Sequence, residues 1–271
     1  MEQPLSIHFP DHNSGKLSRI RAVVQALIGA LRHWCARTLA VKGKINERRK
    51  RPTGSRARRS RTATWVGLFV SLFGMLLIRT VILRTAADPR HPSVILIREL
   101  LYFAAAVSLL LLVKFWEKKP LSSIGIGTAS AGKSLWWGLL LGVICFAVAA
   151  VIALLTHYGH GEASKAMDRL PTWLLTVVVF RAGIVEEIFY RGYAMERLRE
   201  VGLSRAGAFV LPLVIFGLGH YTGGGANIVI ALVLGGILAA FYNWKRDLNA
   251  NIFAHTLVDF VANVVPRLAG M

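Results

Sequence analysis

The chain has 271 residues, 54% of them hydrophobic and only 17% charged, against about 25% charged in a typical soluble domain. The formal net charge of +19 would suit a nucleic-acid binder if it were spread out, but 15 of the 33 Lys and Arg fall within residues 16–61. These proportions exclude an ordinary soluble globular domain and point to a chain that crosses a membrane several times. Cys35 and Cys145 lie far apart in unlike segments and suggest neither a disulfide framework nor a thiolate metal site.

The first 15 residues are polar and carry no apolar core of a cleavable signal peptide. From Ile20, apolar residues recur at Val23, Val24, Leu27, Ile28, Leu31, Trp34 and Cys35, with Arg19, Arg21, Arg32 and Arg37 off the stripe. That spacing predicts an amphipathic helix, suited to an anionic lipid surface or to docking on the rest of the protein. A basic run, Arg48-Arg-Lys-Arg51 and then Arg56, Arg58, Arg59 and Arg61, reads as a flexible linker, giving a basic and partly disordered extension over residues 1–62. Such a run can bind nucleic acid, but beside a first membrane span its ordinary effect is to hold that end in the cytoplasm.

Seven apolar segments follow, at about 64–83, 94–115, 134–156, 172–196, 206–220, 226–243 and 250–266. The expected fold is all-α, a polytopic transmembrane bundle of about seven spans, several near the roughly 20 residues that cross a bilayer. The first two spans (63–118) precede a larger membrane domain (119–271) whose motifs fall within 172–266. Lys114, Lys118, Lys119 and Lys133 share one inner loop, Arg197, Arg199 and Arg205 the next, and Lys245 and Arg246 the third. This bias predicts a cytoplasmic N-terminus and an outer C-terminus, and the compact chain suits a bacterial plasma membrane. Gly127-Thr-Ala-Ser-Ala-Gly-Lys-Ser134 fits a phosphate-binding pattern letter for letter. That pattern requires a buried strand before it and a soluble helix after it; Leu121–Ile126 is too short and polar for the strand, so the match is read as chance.

Charge inside a membrane helix is expensive, about 2.5–3.5 kcal/mol on insertion scales, and marks function by default. Glu187 and Arg191 have the four-residue spacing of a helical ion pair, acid first. Glu186, about 100° around an ideal helix, then faces elsewhere and has no partner at that spacing in its own helix. Phe216-Gly-Leu-Gly-His220 puts an aromatic ring and an imidazole on one face, and Tyr221-Thr-Gly-Gly-Gly225 ends that helix. In His255-Thr-Leu-Val-Asp259 the acid is placed to orient the imidazole. Asn243, Asn249 and Asn251 read as loop and cap residues. A carboxylate and imidazoles from three helices converging on one wet pocket can activate water and stabilise an oxyanion. Alternatively Glu186, His220 and His255 could hold Zn²⁺ with an open position, although no H-E-x-x-H is present.

These residues resemble the CPBP intramembrane proteases, which include the CAAX prenyl endopeptidases and the bacteriocin-processing, Abi-type proteins. The family motifs E-E-x-x-x-R, F-x-x-x-H and H-x-x-x-[ND] stand here as Glu186–Arg191, Phe216–His220 and His255–Asp259, in the family's order. The resemblance covers about residues 120–266. It implies an intramembrane endopeptidase acting on membrane-associated peptides or proteins without a resident metal. Glu186 with His220 would activate water, His255 with Asp259 would serve the oxyanion, and Glu187, Arg191 and Phe216 would support them. Many members carry Asn where this chain has Asp259, and an ionised Asp would repel an oxyanion rather than stabilise it. The alternatives are a membrane binding or immunity protein on the same fold, and a transporter, the latter disfavoured because no paired broken-helix repeat is visible.

Overall fold

A computed structural model describes residues 55–156 and 169–270. The expected amphipathic helix at 20–35 and its lipid-binding surface lie outside the described residues. Within them every regular element is helical and no strand occurs, so the fold is all-α. Helix α1 (Ser55–Thr85) has 31 residues and is about 46 Å long. It begins earlier than the hydropathy suggests. Arg56, Arg58, Arg59 and Arg61 lie in its first turns rather than in a linker, because Arg is a good helix former and nothing after Gly54 breaks the helix.

Helix α2 (Pro92–Leu111) opens with proline at its first position, where no intrahelical N–H is lost. It relaxes into a wider π turn over Leu112–Trp116, closed by the five-residue bond from Glu117 N–H to the Leu112 carbonyl. Leu121–Ile124 is a short 3₁₀ turn. The strand required by the phosphate-loop pattern is therefore absent at that place. The same loop is consumed in docking: Thr128 Oγ1 donates to the Arg246 carbonyl at 2.8 Å, and Leu248 N–H to the Gly125 carbonyl at 2.9 Å.

Helix α3 (Ala131–Thr156) has no acidic residue in its first turn and no basic residue in its last. It packs along α8 (Leu248–Asn263), which starts at an Asp247 cap accepting from Ala250 N–H. Gly138 and Gly142 sit at this contact, where a Cβ on Gly138 would come within 2.9 Å of the Ala250 carbonyl. Small residues four apart are a usual device for close helix approach in lipid. Between them in sequence runs a continuous rod of α4 (Thr172–Arg181), a π-helical segment Ala182–Ala194 and α5 (Met195–Glu200). Helix α6 (Arg205–Gly219) follows a Ser204 cap, and α7 (Gly224–Lys245) follows a one-turn 3₁₀ segment. A last turn, α9, spans Val265–Leu268.

Four helical stretches are long and apolar enough to cross a membrane: Arg61–Thr85, Pro92–Trp116, Ala131–Leu155 and Tyr221–Lys245. The chain is an integral membrane protein. Large apolar side chains such as Trp65, Phe69, Trp136 and Leu154 stand exposed on these helices, as a lipid-facing surface requires. The other three expected segments are helical but different in kind. Arg205–Gly219 has only 15 residues, α8 has 16, and the 172–200 rod carries too many charges inside it. That rod is the core: Val185, Glu187, Phe189, Tyr193 and Ala194 on it are completely buried.

Candidate active site

The site is built around the π segment of that rod. A π-helix closes its hydrogen bonds over five residues instead of four and occurs mostly as short insertions at functional sites; here Met195 N–H returns to the Tyr190 carbonyl. The wider turn changes which residues stack. Glu187 and Arg191 pair at 2.8 Å, four apart. Arg181 also reaches Glu186, five residues on, through Nη1 to Oε1 at 2.5 Å. Glu186 therefore does have a partner in its own rod, at a spacing that an α-helix would not bring together.

Glu187 is completely buried and fully engaged. Its Oε1 accepts from Arg191 and from His255 Nδ1 at 2.9 Å, and its Oε2 accepts from Asn251 Nδ2 at 3.0 Å. Asn251 is thus no cap residue: it is completely buried on α8 and also donates to the Leu238 carbonyl at 3.0 Å. Asp247 performs the capping four residues earlier, which frees Asn251 to face the rod. Arg191 completes the knot by donating to the Gly235 carbonyl at 3.1 Å. Gly235 has to lack a side chain, since a Cβ there would lie 2.8 Å from Arg191 Nη2 and 2.9 Å from the Phe216 ring.

Phe216 is the apolar centre. Its ring centroid is 4.7 Å from that of His220, 6.5 Å from that of His255 and 5.3 Å from that of Tyr190. The Arg191 guanidinium lies over its face at 4.4 Å, a favourable cation–π distance. One aromatic ring thereby spaces both imidazoles and covers the ion pair.

His220 caps α6 and is half-buried. Its Nδ1 lies 2.8 Å from the Phe216 carbonyl. A carbonyl only accepts, so Nδ1 carries a proton, and no hydrogen bond to Nε2 occurs among the described residues. His255 is held from the other side, with Nδ1 on Glu187 and Nε2 3.6 Å from Asp259 Oδ2. That second distance is an ion-pair separation and too long for a hydrogen bond. Glu187, rather than Asp259, is therefore the residue hydrogen-bonded to His255, while the Asp259 side chain is one-third exposed. Glu186 lies within electrostatic reach of both imidazoles, and Asp259 within reach of both imidazoles and of Glu186.

The structure thus brings Glu186, Glu187, Arg191, Phe216, His220, His255 and Asp259 into one cluster. It adds Arg181, Asn251 and, from α2, Glu99, whose Oε2 accepts from Arg181 Nε at 2.5 Å. Glu186 is almost buried, and no hydrogen bond to its Oε2 occurs among the described residues. No three His, Cys, Asp or Glu side chains among the described residues stand close enough together to hold a metal ion. The donor set explains why. One oxygen of Glu186 is committed to a guanidinium, and both nitrogens of His255 face carboxylates.

Residues 168–261 match the model of the Rce1-like type II CAAX prenyl endopeptidases. The matched stretch contains all three motifs and the whole π segment, so the resemblance to the CPBP and CAAX proteases extends across α4 to α8. It stops short of α1, α2 and α3, and so excludes Glu99. No curated protein and no solved structure matches the chain. The matched family is one of proteases.

Proposed function

We propose that the protein is an intramembrane endopeptidase that hydrolyses a peptide bond of a membrane-associated peptide or protein, with water as nucleophile. The observation that carries this is the open valence on an otherwise closed cluster. Glu186 is anchored through one oxygen, His220 keeps its Nε2 free of any hydrogen bond among the described residues, and the two lie within electrostatic reach of each other. In the proposed step Glu186, assisted by His220, removes a proton from water as its oxygen bonds to the scissile carbonyl carbon. The carbonyl π pair moves onto oxygen, and the resulting oxyanion accepts a hydrogen bond from His255 Nε2–H. Collapse of that intermediate breaks the C–N bond, and the proton held by Glu186 passes to the leaving amine. Protonated His255, flanked by Glu187 and Asp259, can donate from both nitrogens. Asp259 acts on the ring as a nearby charge and does not touch the oxyanion.

Hydrolysis on this scheme uses no metal. Arg181 already supplies a cation at Glu186, and a divalent ion would have to displace it. The CAAX-type substrate class follows from the matched family, since a C-terminal C-a-a-X sequence carries a lipidated cysteine beside the membrane. The positive-inside bias supports a cytoplasmic N-terminus, the compact chain suits a bacterial plasma membrane, and the basic segment before α1 suits an anionic leaflet. The test is cleavage of a membrane-anchored peptide by purified wild type, Glu186→Ala and His220→Ala, with and without a strong chelator. Cleavage by wild type alone, unaffected by chelation, is expected. Equal cleavage by all three proteins overturns the assignment, and loss on chelation overturns the metal-free scheme. A cellular phenotype that survives Glu186→Ala would favour a binding or immunity protein on the same fold.

A further inference from the structure

Arg181 is not part of any motif in the sequence, and Glu99 lies outside the stretch that resembles the protease family. Yet the two connect an early membrane helix directly to Glu186. The Glu99 side chain is completely buried on α2 and accepts from two arginines, Arg98 at 2.6 Å and Arg181 at 2.5 Å. Arg181, itself nearly buried, donates Nε to Glu99 and Nη1 to Glu186, and its guanidinium stacks over the Tyr102 ring at 5.2 Å. The result is an alternating chain of charge, Arg98–Glu99–Arg181–Glu186, reaching from a quarter-exposed arginine into the site.

We infer that Arg181 and Glu99 are positioning residues for Glu186, an inference that rests on the endopeptidase reading above. Arg181 holds one carboxylate oxygen in place, which leaves the other aimed at the water. Glu99 and Tyr102 fix the guanidinium from behind, so that it presents one N–H in one direction instead of following Glu186 through its rotamers. Glu99 also shares the charge of Arg181. With Glu99 present, Arg181 is not an undivided counter-ion to Glu186. The wider π turn makes this possible, because it stacks residue 181 against residue 186. In consequence, the helices that resemble the family need α2 to complete the site.

The test uses the full chain in lipid nanodiscs and a membrane-anchored peptide, with kcat and KM measured separately. Arg181→Gln is expected to lower kcat by about 100-fold, the scale of a misplaced catalytic group, with KM changed less than threefold; Arg181→Lys restores part of the loss. Because Arg181→Gln leaves Glu99 facing Arg98 alone, the single variant can fail to fold. The double variant Glu99→Gln/Arg181→Gln removes one charge of each sign and preserves the balance. A double variant that is monodisperse, unfolds at the wild-type temperature and still has low kcat supports positioning. Wild-type kcat in the double variant would show Arg181 to be only the counter-ion of Glu99, and overturns the inference. Glu186→Gln, measured alongside, separates the two levels. If it is inactive while the double variant is fully active, only the positioning role fails. If it is active, the endopeptidase reading itself fails.

Discussion

Two buried charge networks lie on the same helical rod, and they differ in one respect. Near its C-terminal end, Glu117 accepts from Thr64 Oγ1 at 3.1 Å and Tyr193 Oη at 2.8 Å through one oxygen, and from Arg197 at 2.7 Å through the other. Arg197 is itself completely buried, and it also reaches Ser123 Oγ at 2.9 Å and Glu200 at 3.2 Å. Every strong donor and acceptor there is used, and the network ties α1, the end of α2 and the 3₁₀ turn to the rod. Ten residues before Arg197, Glu187 is equally closed, but Glu186, His220 and Asp259 keep an open oxygen, an open nitrogen and a partly exposed carboxylate. Burial of charge is common to both places. The proposed function assigns chemistry to the one whose polar atoms are left unfinished, because a satisfied network holds a fold together but has nothing to offer a substrate.

The contrast is broken most directly at Glu186. Glu186→Gln keeps the shape and leaves Arg181 paired with Glu99, so stability should change little. Removal of the base should lower kcat by about 10³–10⁴-fold, the upper part of the range for general-base catalysis. Single-turnover cleavage and thermal unfolding of the same preparation check both halves of this expectation. A variant that unfolds early and yet cleaves normally per folded molecule would reverse the roles of the two networks.

Glu117→Gln makes the opposite prediction. It removes the completely buried anion beside Arg197 and leaves Glu200, which is 39% exposed, as a weaker partner. Breaking a buried pair from one side costs about 3–5 kcal/mol, and the lower end applies here because Glu200 remains. A marked drop in unfolding temperature is expected, with kcat of the folded fraction unchanged. Loss of kcat without loss of stability would mean that this closed network also acts in the reaction.

How far all this could be read from the sequence depends on the distance over which each feature is encoded. Hydropathy runs gave the all-helical membrane fold, and the four-residue spacing of Glu187 and Arg191 gave their ion pair, because both are local periodicities. Arg181 was invisible for a physical reason: five-residue spacing is not a face of an α-helix, and nothing in Ala182–Ala194 announces a π register. Glu99 is 82 residues from its partner, and no local pattern links them. Asn251 reads as a cap because it lies within four residues of the start of α8, close to the Ncap position that favours Asn but that Asp247 occupies; only the tertiary contact with Glu187 shows its use. Hydropathy judged the rod poorly. Read as one of about seven spans, it instead carries its charges into the core, where Arg181–Glu186 and Glu187–Arg191 pair within the rod and Glu99, Glu117 and His255 reach it from outside.

His255→Gln tests the boundary between the networks, since His255 is hydrogen-bonded to closed Glu187 and faces open Asp259. A neutral amide can still meet Glu187 but cannot deliver the charged donor to an oxyanion. A fall in kcat of about 10²–10³-fold is expected, as for loss of one oxyanion donor, with stability nearly retained. The cleavage rate of a membrane-anchored peptide and the unfolding temperature decide it. Equal loss of both would place His255 in the structural network.

The smallest effect should come from Asp259→Asn. Asp259 stands 3.6 Å from His255 Nε2 and is one-third exposed, so its contribution is that of a partly screened ion pair, under about 1 kcal/mol or fivefold in rate. The variant also installs the residue that many members of the resembled family carry. Its amide can donate to an oxyanion directly, which an ionised carboxylate cannot, and this gain works against the lost charge. Activity within about fivefold of wild type, in either direction, fits a residue that tunes His255 from outside hydrogen-bond range. A loss approaching that of His255→Gln would instead require Asp259 to close onto the imidazole when substrate binds, turning the most exposed acid of the cluster into its last hydrogen-bonding member.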